Sequence, residues 1–111
     1  MYLVRDIMYC KPGQARPMVQ RFLALGKLSQ QLGIGPMRVM TDVSAERYWT
    51  VVAETEVESL EKFAEMTRKS MENKDLQEIM KGYHDNVAEG RRELWSEAED
   101  ADEKEERAGG W

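Results

Sequence analysis

Cysteine and histidine each occur once in this chain, as Cys10 and His84. A single thiol excludes an internal disulfide and a thiolate metal cluster built within one chain. The lone imidazole has no Cys or carboxylate at ligand spacing beside it, so a closed metal site is not expected. Nor is there an apolar run approaching the roughly 18 residues that span a bilayer. Residues 1–5 read straight into a strand rather than a signal peptide, and the expected location is cytoplasmic. A Gly-rich phosphate loop, a nucleophile elbow and a Walker motif are all missing.

Basic excess is missing too. The chain has 21 acids and 16 bases, a net charge of -5. Between residues 97 and 107 seven acids stand against two bases, which leaves fourteen of each in the rest. The acidity belongs to the end of the sequence and the body is neutral. Nucleic acid therefore has no electrostatic footprint to bind. A four-stranded RNA-binding domain would also need stacking aromatics that are absent here.

What is present is an ordinary globular balance, 41% hydrophobic and 33% charged in 111 residues, enough for one modest core. Residues 36–54 organise it. Met37, Val39, Thr41 and Val43 alternate with Arg38, Met40 and Asp42. Tyr48, Thr50 and Val52 alternate with Trp49, Val51 and Ala53, and Ser44-Ala45-Glu46 lies between. This pattern predicts a hairpin with a three-residue loop.

A first strand is expected over Tyr2 to Cys10, broken by Lys11-Pro12-Gly13. A helix then starts at about Gln14, with Ala15, Met18, Val19, Phe22, Leu23 and Gly26 as its apolar stripe and Gly33, Gly35 and Pro36 ending it. After the hairpin, Thr55-Glu56-Val57-Glu58 reads as a capping box. Val57, Leu60, Phe63, Ala64, Thr67 and Met71 trace the helix that follows, which breaks near Asn73. A further helix carries Leu76, Ile79, Met80, Tyr83 and Val87 and stops at Gly90. Residues 91–98 return as a strand, with Arg92, Leu94 and Ser96 on one side and Arg91, Glu93 and Trp95 on the other.

This order is the split βαβ arrangement of a ferredoxin-like α+β domain, residues 1–98, with an antiparallel four-stranded sheet and helices on one face. Right-handed crossovers place the first strand centrally, beside the third. Residues 99–111 are too acidic and too poor in apolar side chains to order, and are expected to be a disordered tail. Neither face of the strands is cleanly polar: Tyr2, Val4 and Met8 oppose Leu3, Ile7 and Tyr9. The side without helices needs a cover, and a second copy in a homodimer is the economical one.

The strand ending in Lys11-Pro12-Gly13, the long amphipathic helix, the hairpin and the final Arg91-Arg92-Glu93-Leu94-Trp95 resemble the dimeric α+β barrel superfamily. Within it the similarity is to NIPSNAP-like and antibiotic-biosynthesis-monooxygenase-like proteins, in layout across residues 2–98. The resemblance implies a homodimer whose sheets form a barrel, with a cleft in each subunit between sheet and helices. It also implies a choice of activities that includes cofactor-independent quinol monooxygenases and heme-degrading oxygenases. The heme-degrading members use an Asn on the first strand, a Trp and a helix His. His84 on a late helix matches, the first strand has no Asn, and the triad is incomplete. No cofactor is required by the sequence, and heme is the one the resemblance admits.

The expected function is a small-molecule-binding dimeric barrel protein, a small monooxygenase acting on an aromatic or apolar ligand in the cleft. The alternative is a non-catalytic binding or accessory homodimer. Three residues are candidate ligand contacts. His84 is an acid, base or ligand near neutral pH, or an incidental surface imidazole. Arg5, a charge in a central strand, binds an anion or pairs with Glu93. Trp49, with Tyr48, walls an aromatic pocket or fills the core. Cys10 ends a strand with no neighbouring His and is not read as a nucleophile.

Overall fold

The structure, a computed structural model, describes residues 1–98, so the expected disorder of 99–111 lies outside it. Four strands form one sheet in the order β2-β3-β1-β4: β1 Tyr2–Cys10, β2 Met37–Thr41, β3 Thr50–Val57 and β4 Val87–Ser96. All neighbours are antiparallel, with β1 central beside β3 as the crossover rule requires. Helix α1 is Ala15–Gln31, α2 is Leu60–Glu72 and α3 is Lys74–Met80, and a 3-10 turn spans Tyr83–Asp85.

The core sits between α1 and one face of the sheet. Met18 and Phe22 of α1 bury against Cys10, Val51 and Ala53, with Met8, Val39, Met80, Tyr83 and Val87 around them. The α1 stripe turns away from the expected one after Phe22: Leu25 packs inward and Leu23 is exposed. Arg21 fastens the later elements to α1. Its guanidinium donates to the carbonyls of Ile79 (2.8 Å) and Lys81 (2.6 Å) and to Asn86 Oδ1 (3.1 Å). It thereby satisfies carbonyls at the end of α3 that no helical N–H can reach. By contrast α2 buries none of its residues. Among the described residues no helix is long and apolar enough to cross a membrane.

Four expectations change. The hairpin loop is not Ser44-Ala45-Glu46 but runs over residues 42–49, because the ladder stops at the Thr41–Val51 pair. There the Asp42 carboxylate accepts from the Thr50 N–H at 2.9 Å, and the Thr50 hydroxyl donates to the Arg47 carbonyl at 2.8 Å. An aspartate that can bond the backbone leaves a strand readily. Tyr48 and Trp49 consequently belong to the connection, not to a strand.

Thr55 caps no helix. It lies in β3, whose pairing with β1 continues to Val57 opposite Tyr2. The cap of α2 is Ser59, whose hydroxyl accepts from Lys62 N–H at 3.1 Å. The last helix ends at Met80 rather than Gly90, since Gly82 takes the left-handed φ of 79° that breaks it. Gly90 is instead inside β4, where a Cβ would come within 2.9 Å of Met8 Sδ. That strand runs from Val87 to Ser96, with the expected alternation of its side chains.

Candidate functional site

Two regions have the chemistry of a site, and they lie on opposite faces of the sheet. The first is a groove of about 630 Å³ where the start of α1 meets the residue 42–49 connection. Ala15, Arg16 and Val19 form one wall, and Thr41, Asp42, Tyr48 and Trp49 form the other. Its volume falls in the range of small-molecule sites, which run from about 300 to 1,000 Å³. The walls come from two different elements, as a concave site needs. A comparable groove on α2, lined by Phe63, Thr67 and Met71, is walled by that helix alone.

Trp49 is the unusual residue here. Its φ is 62°, and it is the one non-glycine with positive φ among the described residues. A bulky side chain in that conformation is strained by about 1–2 kcal/mol. Bonds on both sides hold it there. The Trp49 carbonyl accepts from Cys10 N–H at 2.9 Å, and the next residue, Thr50, is clamped by Asp42. The indole is left 43% exposed and the neighbouring Tyr48 ring 86% exposed. A half-exposed Trp49 and an exposed Tyr48 beside a strained backbone mark a place shaped for contact as well as for packing. Arg16, at the rim, has no side-chain partner among the described residues.

The second region is the face without helices. Across its middle, cross-strand register aligns Arg38, Glu54, Arg5 and Glu93 in one row, one residue from each strand. Glu54 lies between two arginines, accepting from Arg5 Nη2 at 2.7 Å and from Arg38 Nη2 at 2.8 Å. Glu93 is 3.9 Å from Arg5 and 3.2 Å from Arg91, and accepts from the Trp95 indole N–H at 3.0 Å. Burial alone would push the Glu54 carboxyl up. The hydrogen bonds and charges of Arg5 and Arg38 outweigh it and hold the group below the usual carboxylate range. On the helix side of the same strands, Asp6 and Arg92 form a two-bond pair at 2.7 and 3.1 Å.

The candidate residues are thus dispersed. Trp49 lines the groove. Arg5 is on the far face, where it borders a shallow hollow with Leu3 and Trp95 and meets Glu93 as well as Glu54. His84 lies on the exposed 3-10 turn, its ring against Tyr83 with centroids 4.1 Å apart, and lines neither cavity. Sequence reasoning missed Asp42, Arg16 and Glu54. Asp42 carried a signal, an acid ending an apolar alternation. Arg16 and Glu54 carried none beyond being charged. Among the described residues no group of three or more His, Cys, Asp or Glu side chains could hold a metal ion.

No family model and no curated protein matches the sequence. Solved structures do match by fold. A NIPSNAP-like domain protein from Burkholderia xenovorans is 18% identical, with 86% of this chain and 84% of that one aligned and a TM-score of 0.72. A NIPSNAP family protein of unknown function from Agrobacterium tumefaciens is 14% identical, covers 88% of each chain and has a TM-score of 0.74. A protein from Arabidopsis thaliana is 14% identical, with 88% of this chain and 96% of that one aligned and a TM-score of 0.64.

Proposed function

Starting from the fold it shares with NIPSNAP proteins, we propose that this chain binds a small aromatic or apolar molecule in the groove between α1 and the residue 42–49 connection. The observation that carries the reading is Trp49: a strained, clamped residue that holds its indole at the wall of a 630 Å³ groove. Trp49 and Tyr48 supply ring faces, Val19 and Ala15 the apolar floor, and Arg16 a cation for a carboxylate or phenolate at the rim. The working unit in this proposal is a homodimer joined through the sheet face that lacks helices.

The groove lining contains no histidine. Its residues do not fit a heme held by imidazole. Oxygenation of the bound molecule is the reaction the resemblance suggests, and a purely binding role is its competitor. An aromatic quinol titrated against the intrinsic fluorescence of wild type and Trp49→Ala tests the binding. A weakening of about 1 kcal/mol or more in the variant is expected from the lost ring contact. Equal affinity would remove the groove from consideration. Oxygen uptake by the quinol-loaded wild type then separates an enzyme from a binder.

A further inference from the structure

Of the eight arginines in residues 1–98, six pair with carboxylates and Arg21 binds backbone carbonyls at the end of α3. Arg16 is the exception, and it lines the groove. Its place in α1 gives it no helical role. A cation in the first turn opposes the helix dipole, and α1 has no acid there to offset it. An arginine kept against that local preference, at the wall of a concave site, is placed to meet an anion from outside the chain.

Asp42 supplies a second point of attachment. Its Oδ1 accepts from the Thr50 N–H at 2.9 Å, and no described residue donates to its Oδ2. Asp42 and Arg16 stand on opposite walls of the groove, one on the connection and one on α1, and form no ion pair with each other. Opposite charges that share a groove without meeting suit a ligand that spans them, with an anion at one end and a hydrogen-bond donor at the other. Beside Asp42 the rings of Tyr48 and Trp49 offer faces to a flat apolar body.

We propose that the groove takes an aromatic carboxylic acid bearing a ring hydroxyl, with its carboxylate on the Arg16 guanidinium and its hydroxyl donating to Asp42. This rests on the preceding reading of the groove and names its ligand class. A guanidinium presents paired N–H donors, which a carboxylate uses in full and the single oxygen of a phenolate does not. The protonation states agree as well. At neutral pH a carboxylic acid is ionised, whereas a phenol keeps its proton until about pH 10 and can donate it. The chain's net charge of -5 repels anions at a distance, so a preference for the acid has to come from the groove itself.

Calorimetric titration of the full chain at neutral pH tests this with three probes of one shape: para-hydroxyphenylpropionate, its methyl ester, and phenylpropionate, which lacks the hydroxyl. Wild type should bind the acid about tenfold more tightly than the ester, the effect of one charge-assisted contact. Arg16→Gln should abolish that preference and leave ester affinity unchanged, while Arg16→Lys should keep part of it. Asp42→Asn retains an oxygen for the Thr50 N–H but puts a donor in place of Oδ2. It should lose only the preference for para-hydroxyphenylpropionate over phenylpropionate. Circular dichroism checks that each variant is folded, and the exposed Arg16 keeps the test decisive if Asp42→Asn is not. An acid bound no better than the ester overturns the proposal; if Trp49→Ala still weakens the ester, the groove reading stands. An acid preference that survives Arg16→Gln places the anion elsewhere and overturns it too. A hydroxyl preference that survives Asp42→Asn strikes the hydroxyl from the ligand class. If neither these probes nor the quinol bind, both readings fall.

Discussion

On the open face of the sheet, Glu54 is 6% exposed and bound by two arginines, and each neighbour in its row has a partner of opposite sign. At the end of the same sheet, on the helix side, Trp49 keeps a left-handed backbone and stays half-exposed beside Tyr48 and Arg16, which has no side-chain partner among the described residues. Substitution should therefore act in opposite directions. In the row, removing a side chain strands its neighbours. In the groove, removing one relieves a cost that the folded chain has been carrying.

The largest effect belongs to the row. Glu54→Gln should destabilise the fold by about 2 kcal/mol, from charge-assisted hydrogen bonds lost to Arg5 and Arg38, discounted because Arg38 is well solvated. Urea denaturation at pH 7 measures it. The variant should also alter the acid limb of stability. Glu54 has a depressed folded pKa, so its contribution is full above the ordinary glutamate value of about 4.3 and is lost as pH falls through the lower folded value. Wild type should lose stability in that window faster than Glu54→Gln. Parallel acid limbs would mean that the row contributes nothing.

Trp49→Gly should go the other way, stabilising the protein by about 1 kcal/mol, because glycine adopts positive φ without the steric cost. A higher melting temperature together with weaker quinol binding would establish that the indole is kept for contact. A lower one would mean that the ring packs more than its exposure suggests.

The smallest effect is at His84. Exposed on the 3-10 turn and outside the groove, His84→Ala should change stability by less than about 0.5 kcal/mol and leave quinol affinity unchanged. A measurable loss of affinity would bring the turn into the site and break the division between the two faces.

Most of the fold was legible in the sequence, and most of the site was not. Alternation in Met37–Thr41 and in residues 91–96 put the right side chains on the right faces, because period two survives an error in loop length. The loop itself was misjudged. Val43 and Tyr48 look like strand residues, and only the tertiary bonds of Asp42 and Thr50 take them out of the ladder. His84 drew attention as the lone imidazole, yet Gly82 had already ended the helix that would have carried it inward. The charged row depends on three separate registers, none of which a linear pattern encodes.

Helix α2 has a consequence for motion. With no buried residue it exposes little new apolar surface when it opens, so its local unfolding carries a small free-energy cost. Its amides should exchange with deuterium through that local opening, at rates indifferent to global stability. Those of β1, paired on both edges at the centre of the sheet, should wait for the whole domain to unfold. A Glu54→Gln chain should then exchange faster in β1 and at an unchanged rate in α2. The domain would behave as a firm sheet with one helix that comes and goes.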